Sequence, residues 1–123
     1  MGIRRVVPDL QTDNMAESRA FYVDVIGLEV GMDLGWIVTL GSTSNPTAQL
    51  SLMEQDATAP VVPNVTVEVG DVDAVHAAAV AARATIVHPL TDEPWGVRRF
   101  LVEDPTGVVV NVMQHLAPAA AEA

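Results

Sequence analysis

Apolar and polar positions alternate with period two over several short stretches and recur at helical spacing over two others. Residues 4–11 read as a strand. Asn14-Met15-Ala16-Glu17 has the form of a capping box, an N-cap acceptor with Glu at the third helical position. Ala20, Val23 and Ile26 follow at helical spacing, and Gly27 supplies a left-handed stop. A helix is therefore predicted from the Asn14 cap to about Ile26. Residues 28–32 and 36–40 read as two short strands around Asp33-Leu34-Gly35, and 48–53 as a fourth. A linker over 54–62 contains Pro60. Beyond it Val65, Val67 and Val69 alternate with Asn64, Thr66 and Glu68, a strand over 63–69. Asp71 caps an alanine-rich helix to about Ala82, and 85–90 is a sixth strand. Pro94 and Gly96 mark a bend. Residues 97–103 and 108–112 form a hairpin closed by Asp104-Pro105-Thr106-Gly107, where Pro presets φ, Asp accepts local hydrogen bonds and Gly tolerates positive φ. The element order is strand, helix, three strands, and then the same again.

Strand parity divides these side chains between two faces. One face is apolar: Leu50 and Leu52; Val65, Val67 and Val69; Val108, Val110 and Val112; Val6, Pro8 and Leu10. It is predicted to lie under the helices. The opposite rows are mixed: Val7, Asp9 and Gln11; Gln49, Ser51 and Met53; Asn64, Thr66 and Glu68; Val109, Asn111 and Met113. A mixed row on a strand ordinarily faces solvent, but Met53, Val109 and Met113 interleave here with amides, which suits a ligand cup. Residues 97–103 fit either parity, with Arg98, Phe100 and Val102 against Arg99, Leu101 and Glu103.

A chain of 123 residues, half of them hydrophobic, is long enough for one domain with a core. It contains no cysteine, which excludes disulfide scaffolds, thiolate metal sites and cysteine nucleophiles. Arg4 and Arg5 are followed by no sustained apolar run, which argues against a signal peptide, and no stretch is long enough to span a membrane. The cytoplasm is the expected location. A formal net charge of −10 makes nucleic acid and anionic lipid poor partners. It is compatible with a cationic ligand, although acidic surfaces ordinarily serve solubility.

The strings "EPWGVRRF" and "VEDPTG" before a last strand, with "SRAFYVDVIGLEV" after the first, resemble the vicinal-oxygen-chelate superfamily of glyoxalases, extradiol dioxygenases and bleomycin-resistance proteins. The resemblance covers about residues 4 to 115. It implies an α+β fold in which two βαβββ modules, about 4–54 and 63–115, form a curved mixed sheet around a cup with the helices outside, all within a single domain. It also implies that Arg99 and Leu101 face the cup. Metal-using relatives place His or Gln, Glu, His and Glu on the first, fourth, fifth and eighth strands. Those positions fall here on Val7 (with Pro8 as the one-residue alternative), Gln49, Asn64 and Asn111. A divalent transition ion favours imidazole and charged oxygen, and none is present. Asp9 and Glu68 lie two or more residues from that row, about 6–7 Å per two-residue step. They are candidate buried carboxylates, for which solvation is the stronger reading than acid–base work. His76 is expected on the outer surface of its helix, and His88 and His115 in structural or solvated roles. Trp36 is core or ligand contact; Trp95, in the bend feeding the cup, is read as ligand or dimer contact.

The expected function is metal-free binding of a small molecule, close to the bleomycin-resistance branch, with no catalytic residue, metal or cofactor. The expected partners are the ligand and a second copy of the chain. An enzyme (a lyase, isomerase or dioxygenase-like member with a substituted metal site) is the alternative, and a scaffold without a small ligand is a third reading.

Overall fold

The computed structural model describes residues 2–117. Its strands are β1 (Ile3–Gln11), β2 (Glu29–Asp33), β3 (Ile37–Gly41), β4 (Gln49–Met53), β5 (Val65–Val69), β6 (Thr85–Glu93), β7 (Val97–Glu103) and β8 (Val109–His115). The helices are α1 (Met15–Ala20), continuing as a π-helix over Phe21–Ile26, and α2 (Val72–Ala81). The α+β class and the doubled βαβββ order are those expected from the sequence. The chain divides into two compact units, residues 7–65 and residues 2–6 with 66–117, so β1 contributes to both.

In residues 7–65 the strands are ordered β2-β3-β4-β1, antiparallel except for the parallel pair β1 and β4. Asn14 caps α1 as predicted, its side chain accepting from the Glu17 amide at 3.1 Å. The helix then widens. The amides of Gly27 and Leu28 both donate to the Tyr22 carbonyl, and Gly27 closes the segment at φ 95°. This winding departs from the 3.6-residue period on which the predicted apolar stripe depended. Tyr22, Val23 and Leu28 pack with Met15 on Val38, Leu40 and Leu52, whereas Phe21, Val25 and Ile26 are exposed.

In the other unit the order is β1-β5-β8-β7-β6. Gly70 donates to the Gly2 carbonyl and Arg5 bonds Glu68, which ties the start of β1 to β5. Asp71 caps α2 through the Ala74 amide. Beneath α2, Phe100 is fully buried with Val69, Val72 and Val112, and Val67, Val102 and Val110 complete the apolar row. Burying one such aromatic stabilises by about 1.5–3 kcal/mol. His76, expected on the outer surface, is half-buried and meets Phe100 edge-on at 4.9 Å, because its place on α2 turns it to the sheet. The hairpin turn forms as read: Asp104 Oδ1 accepts from the amides of Thr106 and Val108 at 2.7 and 3.0 Å, and Gly107 has φ 89°.

The parity assignment is reversed on β1. Val6 and Leu10 are 54% and 37% exposed and Pro8 is exposed, while Val7 and Asp9 are buried. Alternation fixes which residues share a face but not which face is covered.

Candidate functional site

Residues 66–117 carry a coherent polar face. Across β7 and β8, Arg99 stands opposite Met113 and Leu101 opposite Asn111, so these four predicted residues share one side of the sheet. Arg99, Leu101 and Met113 are buried and Asn111 is half-buried. Asn111 Nδ2 donates to Thr66 Oγ1 on β5 at 3.1 Å. Further along, Glu68 lies between Arg5 and His115, with its second oxygen 2.9 Å from His115 Nδ1. Burial opposes the ionisation of Glu68, but the hydrogen bonds from His115 and Arg5 outweigh it and hold the carboxyl below its ordinary range.

A second group of this kind was not anticipated. Glu93 Oε2 accepts from Arg99 Nε at 2.6 Å and lies 3.0 Å from His88 Nε2, all three residues being buried. The Arg99 guanidinium carbon also sits 5.0 Å from the centre of the Trp95 ring, a cation–π contact. The β6 irregularity explains the group. His88 pairs with Leu101 and Thr91 with Arg99, so three residues on β6 span two on β7. Pro89, which has no N–H for the ladder, lies inside that step. The extra residue changes the parity of β6, and His88 and Glu93, five apart, come to the same side. The sequence signal available was the His-Pro pair inside a strand pattern.

Residues 7–65 carry the remaining predicted positions. Asp9 pairs with Ser51 across β1 and β4, and Ser51 with Thr39 across β4 and β3, their hydroxyls 3.1 Å apart. Val7, Asp9, Ser51 and Met53 are buried. Trp36 is half-buried in the turn before β3 rather than within it. Gln49 is half-buried, and its Nε2 donates to the Pro46 carbonyl at 3.0 Å. Asn64 is exposed, and its carbonyl accepts from the Asp9 amide at 2.9 Å. A separate cavity of about 520 Å³ opens beside the 54–62 loop, with Gln11, Glu54 and Asp56 in its wall. None of the residues predicted for the site lines it.

The profile of the glyoxalase/bleomycin resistance protein/dioxygenase superfamily matches residues 2–112. The chain belongs to this superfamily. A superfamily member from Vibrio splendidus has a TM-score of 0.69 at 24% identity, the match covering 92% of this chain and 99% of that one. A hypothetical protein from Bacillus halodurans scores 0.71 at 11% identity over 97% and 99%. A variant of homoprotocatechuate 2,3-dioxygenase from Brevibacterium fuscum scores 0.69 at 24% identity, covering 94% of this chain and 33% of the dioxygenase. These likenesses show a shared fold. No curated protein matches.

The metal of such superfamily members does not fit the donor atoms present. Val7 offers none, and Gln49, Asn64 and Asn111 offer only neutral amide oxygens, without the imidazole or carboxylate that a divalent transition ion favours. Among the described residues no three His, Cys, Asp or Glu side chains converge on a point that could hold an ion. Nor, among those residues, is any helix long and apolar enough to cross a membrane.

Proposed function

We propose that the protein is a metal-free binder of small molecules that captures its ligand by mass action, with no bond made or broken. The observation that carries this reading is the replacement of every expected metal ligand by a valine or an amide: Val7, Gln49, Asn64 and Asn111. Neutral amide oxygens join a hard-cation shell ordinarily beside carboxylates that supply charge. What remains is the chemistry of recognition: amides and methionines on the mixed strand rows and, in the bend before β7, a tryptophan held against a guanidinium.

The finer reading is a protein of the bleomycin-resistance kind, sequestering an antibiotic or similar compound. It acts as a homodimer, and the apolar side chains left exposed on β1, among them Ile3 at 64% and Val6 at 54%, favour such an association. Native mass spectrometry of freshly purified protein tests these points together. The expected spectrum is a dimer with a retained organic molecule and no metal. Turnover of a small 2-oxo or diol substrate by the purified protein would replace this reading with an enzyme. Sedimentation showing only monomer at micromolar concentration would remove the dimer.

A further inference from the structure

We infer that Asn111 is a specificity-determining acceptor, and that the ligand presents to it an uncharged N–H or O–H donor carried on an apolar body. The inference rests on the small-molecule reading above and adds the chemical class of the ligand.

Asn111 Oδ1 is buried and has no hydrogen-bond partner among the described residues, whereas the nitrogen of the same amide is engaged by Thr66 at 3.1 Å. A buried acceptor without a donor is uncommon in a folded protein and is expensive to keep. The sheet around it cannot repair the deficit. Leu101 stands directly across on β7, and Val109 and Met113 occupy the same face two residues away on either side. None of these side chains carries a donor. On the β5 side the Thr66 hydroxyl is engaged by the nitrogen of the same amide, so the donor that completes the oxygen comes from a bound molecule, and it meets leucine, valine and methionine on arrival. Met113 is the adaptable member of that set, an unbranched thioether that changes rotamer at low cost.

Charge decides the kind of donor. Three carboxylates share this face: Glu68 and Glu93 are each bonded to a guanidinium, that of Arg5 or Arg99, and Glu103 is exposed opposite Val109. Glu68 and Glu93 are thus balanced by Arg5 and Arg99, and Glu103 is exposed and keeps its hydration, so a charged ligand beside Asn111 meets on this face no buried carboxylate or guanidinium that is not already in an ion pair. A carboxamide or hydroxyl on an aromatic or aliphatic frame satisfies the oxygen without bringing a charge to be desolvated.

The test uses three probes of nearly equal shape: benzamide with an N–H donor, acetophenone without one, and benzylammonium with a charge. Each is titrated into the full chain and followed by nitrogen-15 and methyl NMR. The expected result is that benzamide shifts the Asn111 side-chain amide and the Leu101 and Met113 methyls, and binds about tenfold more tightly than acetophenone, the factor that one such hydrogen bond supplies. In Asn111→Leu, which fills the site with an apolar side chain of similar size, the two neutral probes should bind alike. That variant loses the bond to Thr66 together with the unpaired buried acceptor, two opposing effects of similar size, so its melting point should stay close to that of the native chain. Equal binding of benzamide and acetophenone at this face would overturn the inference and leave small-molecule binding standing. So would a preference for benzylammonium, or a donor preference that survives Asn111→Leu. If none of the probes binds and native mass spectrometry finds no retained molecule, the binding reading falls as well. The preference in the native chain decides the matter even where the variant fails to fold.

Discussion

Removing Glu93 should destabilise this protein more than removing any exposed carboxylate. Its Oε2 takes hydrogen bonds from Arg99 at 2.6 Å and from His88 at 3.0 Å, and the Glu93 and Arg99 side chains are each only 2% exposed. Glu93→Ala leaves a guanidinium buried without its carboxylate. Breaking a buried pair from one side costs about 3–5 kcal/mol, because the remaining charge keeps its desolvation penalty. Asp92 lies one residue earlier, and its bond to Arg98 is also 2.6 Å long. That pair is exposed, so Asp92→Ala should hardly move the unfolding midpoint. Urea unfolding at fixed protein concentration measures both. The double variant Glu93→Ala with Arg99→Met then separates the charge effect from packing. With both charges gone it should recover a large part of the loss, since an apolar replacement of a buried pair is often neutral or better. A cost below about 1 kcal/mol for Glu93→Ala would refute the reasoning, as would a double variant less stable than Glu93→Ala alone, because the penalty assigned to burying the Arg99 charge without Glu93 would then be absent.

Glu68 predicts an acid dependence. Its carboxyl lies below the ordinary 4.5 in the folded chain because the bonds from His115 and Arg5 outweigh burial. It therefore contributes stability that is fully present above the unfolded value and is lost as pH falls through the depressed folded value. Glu68→Gln should narrow the difference from the native chain as melting is followed from neutral pH into that range; a gap that stays constant would contradict the assignment. Trp95 should report ligand capture. In Trp36→Phe it is the remaining tryptophan, and its emission should change on binding. Unchanged emission, with affinity unaffected by Trp95→Ala, would make Trp95 a purely structural partner of Arg99.

The parts of the fold legible in the sequence are those written in local chemistry. Asn14 and Asp71 cap the two helices, Gly27 ends the first, and Asp104 to Gly107 close the last hairpin, because each acts through neighbours a few residues away. Alternation correctly paired Val67 and Val69 with Val110 and Val112 under α2, and Leu50 with Leu52 under α1. It failed where the period itself changes. The π-helix turns Ile26 to solvent, and the extra residue around Pro89 brings His88 and Glu93 to one side of β6. Neither departure leaves a periodic signal, since both are decided by packing and by the missing N–H of a proline. β1 shows a different limit. Its two rows were separated correctly, but which row is covered depends on what packs against it, and that information lies elsewhere in the chain. The same holds for the candidate site. Arg99, Leu101, Asn111 and Met113 could be placed on one face from parity and resemblance, whereas the Arg99–Glu93–His88 group depended on an irregular register.

The most direct test of the central claim is elemental analysis of the dialysed protein. With Val7, Gln49, Asn64 and Asn111 at the positions where superfamily members can carry metal ligands, zinc, nickel, iron and manganese should each remain far below one equivalent per chain. A content near one equivalent that survives dialysis, and that is released by Gln49→Ala and Asn111→Ala, would contradict the account and place an enzyme first.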